Sequence, residues 1–169
     1  MKIMLTGSNG LLGQKLIEKI SNEARFELIA TSLGNCVVSS DNFKYYSLDV
    51  TNQEKINQFV SKHLPEAIIN TAAVTNVDYC EQNKAQCDNV NVKAVEYLSE
   101  ICSKKNIHLV HISSDFIFDG KKNDLYNEND LPNPLSYYGL SKLKSEKIFH
   151  DKKFNWTILR TSVVYGVAK

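Results

Sequence analysis

Leu5-Thr6-Gly7-Ser8-Asn9-Gly10-Leu11-Leu12-Gly13 is the segment around which the rest of this chain is organised. It follows a short apolar run and opens a helical pattern of leucine and isoleucine residues. In a strand, turn and helix, Gly7 permits a tight turn, Gly10 lets the backbone approach a pyrophosphate, and Gly13 lets the helix lie close to the strand. The N–H groups that begin the helix would face the anion. The segment therefore predicts a nucleotide site, with the spacing G-x-x-G-x-x-G.

The composition is that of an ordinary globular domain. The chain has 169 residues and a net charge of +1, enough for one domain with a real core. A net charge this close to zero does not favour binding to nucleic acid or to an anionic membrane. No apolar run is long enough to span a bilayer. The N-terminus shows no secretion signal, and the four cysteines form no C-x-x-C pair. We therefore expect reduced thiols in a cytoplasmic protein.

Strand and helix patterns alternate along the rest of the chain. The strands expected after the first are 26–31, 45–48, 67–70, 107–112 and 156–159. One helix is expected to be capped by Thr51 and ended by Pro65, and a last helix is expected from Ser136 or Tyr137 to about His150. Between them lies a long helix, whose expected apolar positions are Val90, Ala94, Val95, Leu98 and Ile101. The alternation predicts an α/β domain with a doubly wound parallel sheet and helices on both faces, which is a Rossmann fold.

A tyrosine, a lysine and two serines at the expected ends of a strand and a helix indicate a reaction on a carbonyl group. Tyr138 and Lys142 are four residues apart, so a helix places both on one face. Ser113 and Ser114 lie at the end of the fifth expected strand. A phenol near an ammonium has a lowered pKa, and a serine hydroxyl can hydrogen-bond a carbonyl oxygen. Together these groups could protonate a carbonyl oxygen as hydride arrives from a nicotinamide.

Several motifs together give the chain a family resemblance. They are Gly7-x-x-Gly10-x-x-Gly13, Asn70-Thr71-Ala72-Ala73, residues 75–81, residues 112–120, Tyr138-x-x-x-Lys142 and residues 160–166. In this combination the chain resembles the extended short-chain dehydrogenase/reductases, and within them the dTDP-4-dehydrorhamnose reductase branch. The resemblance implies that Ser114 supplies a catalytic hydroxyl and that Tyr138 is the general acid. It also implies that Lys142 holds the nicotinamide ribose and lowers the pKa of Tyr138.

The same resemblance implies roles for further residues. Those implied to wrap the pyrophosphate are Gly7, Asn9, Gly10, Leu11, Leu12 and Gly13. Those implied to meet the adenine or to line the path to the nicotinamide are Asp49, Val50, Ala72, Ala73 and Thr75. Those implied to border the sugar pocket are Val77, Ser114, Asp115, Phe116 and Phe118. Asn91 matches an asparagine that is common after the fourth strand of the family.

The implied reaction is hydride transfer from NADPH or NADH to the C4 ketone of a nucleotide-linked 4-dehydro-6-deoxysugar. The second strand ends Ala30-Thr31-Ser32-Leu33-Gly34, without the acidic residue that usually holds the ribose 2′-hydroxyl of NAD. It has no arginine to clamp a 2′-phosphate either, but small hydroxyl residues tolerate that phosphate. NADP is therefore favoured over NAD.

Two departures from the branch affect the substrate and the domain organisation. Val163 stands where the branch often has a tryptophan against the sugar, which loosens the substrate assignment more than the reaction assignment. The family normally continues for roughly another hundred residues of mostly substrate domain. We therefore expect 1–169 to be an NAD(P)-binding Rossmann domain whose substrate domain is absent from this chain. A homodimer is possible for such a protein.

Alternatives remain open at this point. The chain also resembles the regulatory β subunit of methionine adenosyltransferase, which would use the dinucleotide for stability and present a surface to an enzyme. An epimerase or dehydratase of the same family is a third possibility, because dehydratases often use an acid at a position such as Asp115. No metal is expected, since His108 and His111 have no third ligand placed by the sequence.

Overall fold

A single parallel sheet forms the centre of the computed structural model, which describes residues 1–168. Its strands are β1 (Lys2–Thr6), β2 (Glu27–Ser32), β3 (Lys44–Ser47), β4 (Ala67–Asn70), β5 (His108–Ser114) and β6 (Trp156–Thr161). They lie in the order β3-β2-β1-β4-β5-β6, and each neighbouring pair is parallel. The predicted doubly wound Rossmann fold is thereby confirmed.

Six α-helices connect or follow the strands within the described residues. They are α1 (Leu11–Ile20), α2 (Gln53–His63), α3 (Val77–Gln82), α4 (Lys84–Asp88), α5 (Ala94–Lys105) and α6 (Tyr137–Lys147). The expected long helix is therefore interrupted, because the backbone of Asn83 leaves the helical region and a π-helical turn, Asn89–Lys93, separates α4 from α5. The expected loop at 115–135 begins with a short 3₁₀ turn, Asp115–Ile117.

Capping explains where the helices begin and end. The predicted cap at Thr51 is wrong, because the side chain of Asn52 accepts the hydrogen bond from the Lys55 amide. Thr51 instead donates from its amide and hydroxyl to the Asp49 carboxylate, at 2.8 and 2.7 Å. Ser136 caps α6 as expected, but this helix ends at Lys147, three residues before the predicted end.

Hydrophobic side chains cover the two faces of the sheet separately. On one face Ile3 and Leu5 pack with Ile17 of α1. On the other face Met4 and Ile68 belong to a larger cluster that includes residues of α2 and α5. Because successive strand residues point to opposite faces, the apolar runs of β1 and β4 serve both layers at once.

The strand order reverses between β1 and β4, which are neighbours in the sheet although the chain reaches β4 only after crossing over from β3 at the edge. Doubly wound sheets bind their ligands beyond the carboxyl ends of the strands at this kind of crossover. The glycine-rich turn follows β1, and residues 71–75 follow β4. Within residues 1–168 no helix is long and apolar enough to cross a membrane.

Candidate functional site

The turn after β1 requires glycine at two positions for reasons visible in the structure. Gly7 has φ of +69°, and a Cβ there would lie 2.5 Å from the amide nitrogen of Ala72. A Cβ on Gly13 would lie 2.5 Å from the carbonyl oxygen of Gly7. Gly13 therefore lets α1 lie close to the turn itself, rather than to the strand as the sequence suggested.

The first turn of α1 is left open toward the cavities described below. Asn52, Asn76 and Ser136 cap α2, α3 and α6 with their side chains. At the start of α1 the cap position is Gly10, and no side chain among the described residues caps it. The first N–H groups of a helix have no partner within the helix and favour an anion. The geometry therefore suits a phosphate group at this point.

Two cavities meet at the glycine-rich turn. One, of about 490 Å³, is lined by residues 10–13, Tyr138 and Lys142, and we call it the tyrosine cavity. The other, of about 400 Å³, is lined by Asp49 and the end of β2, and we call it the Asp49 cavity. Both are also lined by Gly10, Thr71 and Ala73. An extended ligand that followed the turn would have one end in each cavity.

Nearly all the residues singled out from the sequence line these two cavities. Those in the tyrosine cavity are Gly10, Leu11, Leu12, Gly13, Ala73, Thr75, Val77, Ser114, Asp115, Phe116, Tyr138 and Lys142. Those in the Asp49 cavity are Gly7, Gly10, Asp49, Val50, Ala72 and Ala73.

Asn9 and Phe118 line neither of these two cavities. The Asn9 amide donates to the carbonyl oxygens of Leu33 and Asn35, at 3.3 and 2.8 Å, so its side chain holds the loop after β2. Phe118 stacks on Tyr126 and lines a neighbouring cavity of about 730 Å³, which shares Asp115, Phe116 and Ser162 with the tyrosine cavity. Asn9 lies in the glycine-rich turn itself, and its expected place around the pyrophosphate stays a prediction.

Tyr138, Ser114 and Lys142 meet where β5 ends and α6 begins. Lys142 is only 2% exposed, and its ammonium donates to the carbonyl oxygen of Ile112 at 2.6 Å. Ser114 Oγ accepts a hydrogen bond from the Phe116 amide at 3.2 Å, which holds its side chain at the strand end. The ring of Phe116 makes an edge contact with Tyr138, with centroids 5.6 Å apart.

The pKa of Tyr138 departs from the expectation based on Lys142. Burial raises the pKa of this phenol, and the hydrogen bond with Ser114 only partly opposes the rise. The direction of the shift is therefore set by burial, and not by the ammonium of Lys142, which donates to the Ile112 carbonyl. Burial also lowers the pKa of Lys142 to about 8, with Glu146 acting in the opposite direction.

Glu146 fastens α6 to both β5 and β6. This glutamate is 3% exposed, accepts from Ser113 Oγ at 2.5 Å, and receives two hydrogen bonds from the Arg160 guanidinium at 3.1 and 2.8 Å. A charged pair of this kind is favourable in a buried place only when further hydrogen bonds satisfy it, as they do here. Glu146 was not among the residues predicted from the sequence, although its spacing of four from Lys142 was a usable signal.

Asn91 and Gly139 set the positions of backbone segments next to the site. Asn91 is 1% exposed and bonds both the amide and the carbonyl of Val74, at 2.8 and 3.0 Å, which fixes the loop after β4. A Cβ on Gly139 would collide with the carbonyl oxygen of Phe116. Gly139 therefore lets α6 lie directly on the 3₁₀ turn, and nothing in the sequence pattern identified this contact.

The histidines of β5 have separate structural roles. His108 and His111 are three residues apart, so they point to opposite faces of the strand. His108 lies 2.9 Å from the Thr157 hydroxyl, while His111 is buried between Asn70 and Ser145. No cluster that could hold a metal ion occurs among the described residues.

A six-stranded parallel sheet with an open, glycine-rich helix start defines a Rossmann-type nucleotide-binding domain. The chain belongs to the family described as RmlD substrate binding domain, whose model matches residues 1–169.

Named relatives agree with this family. A dTDP-4-dehydrorhamnose reductase from Aggregatibacter actinomycetemcomitans is 33% identical over 165 residues, which cover 98% of this chain and 52% of that protein. A crystal structure of a dTDP-4-dehydrorhamnose reductase from Clostridium acetobutylicum has a TM-score of 0.87 and 32% identity, and the match covers 100% of this chain and 56% of that one. The structure of a Bacillus anthracis dTDP-4-dehydrorhamnose reductase in complex with NADP has a TM-score of 0.80 and 27% identity, and covers 99% and 55% of the two chains. The resemblance stated from the sequence is confirmed.

A relative with a different role is also similar. The methionine adenosyltransferase 2 subunit beta of Bos taurus is 27% identical over 165 residues, which cover 98% of this chain and 47% of that protein. The chain thus spans about half the length of the curated relatives it matches.

Proposed function

We propose that this chain binds NADP(H) and supplies the cofactor-binding and catalytic groups of a sugar-nucleotide reductase. The reaction is hydride transfer from NADPH to the C4 ketone of dTDP-4-dehydrorhamnose or a closely related 4-dehydro-6-deoxysugar nucleotide. The single observation that carries the proposal is that Tyr138 and Lys142 line the same cavity as the glycine-rich turn. The names of the relatives support the substrate class.

The pyrophosphate of the dinucleotide would lie at the open first turn of α1. Its adenosine half would occupy the Asp49 cavity and its nicotinamide half the tyrosine cavity. When bound, NADPH supplies the hydride. Lys142 would hold the nicotinamide ribose, Ser114 would hydrogen-bond the substrate carbonyl oxygen, and Tyr138 would donate the proton to that oxygen. The raised pKa of Tyr138 keeps the phenol protonated, as a proton donor requires.

NADP is proposed over NAD on two grounds. The end of β2 places Ser32 and Leu33, without a carboxylate from that strand end, on the Asp49 cavity. The Bacillus anthracis relative was solved in complex with NADP. Paired titrations with NADPH and NADH test this choice.

The sharpest test of the reaction is incubation with NADPH and dTDP-4-dehydrorhamnose while the nicotinamide absorbance is followed. We expect oxidation of NADPH that depends on the sugar nucleotide and is lost in Tyr138→Phe. NADPH binding without any sugar-dependent oxidation, in the longest natural form of the protein, would contradict the proposal.

The similarity to methionine adenosyltransferase 2 subunit beta supports a second candidate, a non-catalytic subunit that binds the dinucleotide. Under that alternative, the chain would show no sugar-dependent NADPH oxidation for Tyr138→Phe to abolish, and it would co-purify with an enzyme partner. The arrangement of Tyr138, Ser114 and Lys142 in one cavity favours the reductase.

Three further parts of the proposal concern organisation. Residues 1–169 would form the cofactor domain, with the sugar nucleotide held partly by a further substrate domain. The reductase would act in the cytoplasm, where its nucleotide-linked substrate is made. A homodimer stays a prediction, which sedimentation of the full-length protein tests.

A further inference from the structure

A row of four buried polar side chains crosses the middle of the molecule. We call it the polar row, and its members are Thr6 of β1, Asn70 of β4, His111 of β5 and Ser145 of α6. Each is at most 2% exposed. Thr6, Asn70 and His111 are direct neighbours in the strand register. The three contacts of the row measure 2.6 Å from Thr6 Oγ1 to Asn70 Oδ1, 3.2 Å from Asn70 Nδ2 to His111 Nδ1, and 3.0 Å from His111 Nε2 to Ser145 Oγ.

The hydrogen bonds of the polar row have one consistent direction. Ser145 Oγ donates its only hydrogen to the Lys142 carbonyl at 2.7 Å, so it must accept from His111 Nε2–H. His111 Nδ1 is then an acceptor, which fits the Nδ2 donor of Asn70. That orientation of Asn70 leaves its Oδ1 to accept from Thr6. The row is thus satisfied only by a neutral His111 with its proton on Nε2.

The surroundings of His111 agree with this protonation state. Burial, with a smaller contribution from the nearby charge of Lys142, lowers the pKa of His111 well below its usual value. The ring stacks on Phe149, with centroids 5.8 Å apart. His111 lines neither the tyrosine cavity nor the Asp49 cavity. It therefore cannot touch a ligand there, and any influence it has on binding passes through its neighbours.

Each end of the row reaches one part of the proposed dinucleotide site, either the glycine-rich turn at the pyrophosphate or Lys142 at the nicotinamide ribose. At one end, Thr6 directly precedes Gly7, and Asn70 Oδ1 also accepts from the Ala72 amide at 3.3 Å. That amide is the atom that leaves no room for a Cβ on Gly7. At the other end, Ser145 holds the carbonyl of Lys142.

We propose that His111 is a positioning residue, which through Asn70 and Ser145 holds the glycine-rich turn and the Lys142 turn of α6 at the separation between the pyrophosphate and the nicotinamide ribose of one dinucleotide. This inference rests on the proposed function, because it assumes that the two ends bind one ligand. Three successive residues of β5 contribute to it. His111 contacts Ser145, the Ile112 carbonyl accepts from Lys142, and Ser113 contacts Glu146. Of these contacts, the one at His111 is the one that continues across the sheet to β1.

The most informative variant is Ser145→Ala, which removes the acceptor of His111 and keeps the helix. Its matched control is Ser99→Ala, because Ser99 is a fully buried helix serine whose hydroxyl has no partner within residues 1–168. Loss of one buried hydrogen bond at a positioned site corresponds to about a ten-fold change in binding. We expect Ser145→Ala to raise the Kd for NADPH about ten-fold and Ser99→Ala to leave it unchanged. The KM for the sugar nucleotide should stay within about two-fold in both variants.

A second measurement observes the protonation of His111 directly. Nitrogen-15 NMR of the imidazole rings should show His111 as the neutral Nε2–H tautomer, and Ser145→Ala should change its Nε2 resonance while Ser99→Ala does not. A His111 proton on Nδ1, or equal NADPH affinity in Ser145→Ala and Ser99→Ala, would overturn the positioning role. If the parent chain itself failed to bind NADPH, the proposed function would fail instead, whatever the NMR spectrum showed.

Discussion

Tyr138 and its neighbour Tyr137 make the proposed chemistry directly testable. Tyr138 lines the tyrosine cavity, whereas the hydroxyl of Tyr137 donates to Asp88 at 2.8 Å on another side of α6. Removing a general acid costs about 10² to 10⁴ in rate. We expect Tyr138→Phe to lower kcat for sugar-dependent NADPH oxidation by about that factor and to leave the Kd for NADPH nearly unchanged.

Tyr137→Phe is the matched control for that experiment, because it deletes the same atom one residue earlier. Its kcat should stay within about two-fold of the parent value. Equal losses in the two variants would mean that the phenol of Tyr138 has no special part in proton transfer.

Ser32 offers a test of the choice between NADPH and NADH. It is the last residue of β2 and lines the Asp49 cavity. A carboxylate at this position would repel a 2′-phosphate and could accept from a ribose 2′-hydroxyl. We expect Ser32→Asp to move the NADPH/NADH affinity ratio toward NADH by about ten-fold or more. Ser32→Asn, which has nearly the same shape without the charge, should change that ratio much less in paired titrations.

Lys142 gives the stability of the fold a defined pH dependence. Its pKa is about 8 in the folded chain and 10.5 as the ordinary value. Between these values the unfolded chain binds more protons at this lysine than the folded chain, so its contribution makes the free energy of unfolding rise with pH. Below pH of about 8 the buried ammonium is charged in both states and costs stability.

Lys142→Met removes this titration while keeping a similar volume. We expect the variant's free energy of unfolding, measured relative to the parent, to be higher at about pH 7 than at about pH 9.5, by roughly 1 to 2 kcal/mol. Denaturant unfolding of both proteins at the two pH values measures the difference. A difference that did not depend on pH would show that Lys142 titrates at its ordinary value. NADPH affinity should be reduced in the variant at both pH values.

Gly139 controls how closely α6 packs on the 3₁₀ turn Asp115–Ile117. Alanine in a helix normally stabilises by about 1 kcal/mol relative to glycine. Here the added Cβ would collide with the Phe116 carbonyl, so the sign reverses. We expect Gly139→Ala to lower the Tm by several degrees and to reduce NADPH oxidation. Leu140→Ala, on a partly exposed position of the same helix, should change the oxidation rate little.

Sequence periodicity predicted the elements well where burial and local signals agreed. The strand β4, with three apolar residues before Asn70, matches the predicted strand residue for residue, and Ser136 caps α6 as the sequence indicated. The start of α2 was misplaced by one residue, because Thr51 and Asn52 are both good caps and Asp49 takes the hydroxyl of Thr51. The π-helical turn that interrupts the long helix contains Asn91, whose hydrogen bond with Val74 is a contact between distant residues that periodicity does not encode.

In the candidate site, too, the residues of local motifs were predictable from the sequence, whereas contacts between distant residues were not. Residues in the motifs were predictable because a glycine-rich turn and a Tyr-x-x-x-Lys pair have local geometry, and these residues do line two joined cavities. The direction of the Tyr138 pKa was not predictable, because it depends on how deeply the folded chain buries the phenol. The polar row was also invisible, since its four members come from three strands and a helix.

The proposed organisation into a cofactor domain and a substrate domain gives a prediction for the whole protein. If residues 1–169 form the cofactor domain, this chain alone should bind NADPH within about three-fold of the affinity of a longer natural form. Its turnover of the sugar nucleotide should be at least about a hundred-fold slower, because the substrate would lack part of its site. Calorimetric titration and the absorbance assay on both forms measure the two quantities. Equal turnover would show that this chain holds the complete sugar site.

The most direct test of the account is a crystal structure of this chain with NADP. We predict that the pyrophosphate lies at the amides of Leu11 and Leu12, the adenine in the Asp49 cavity, and the nicotinamide ring in the tyrosine cavity within reach of Tyr138. A dinucleotide bound away from the glycine-rich turn, or one with its nicotinamide in the Asp49 cavity, would contradict the account.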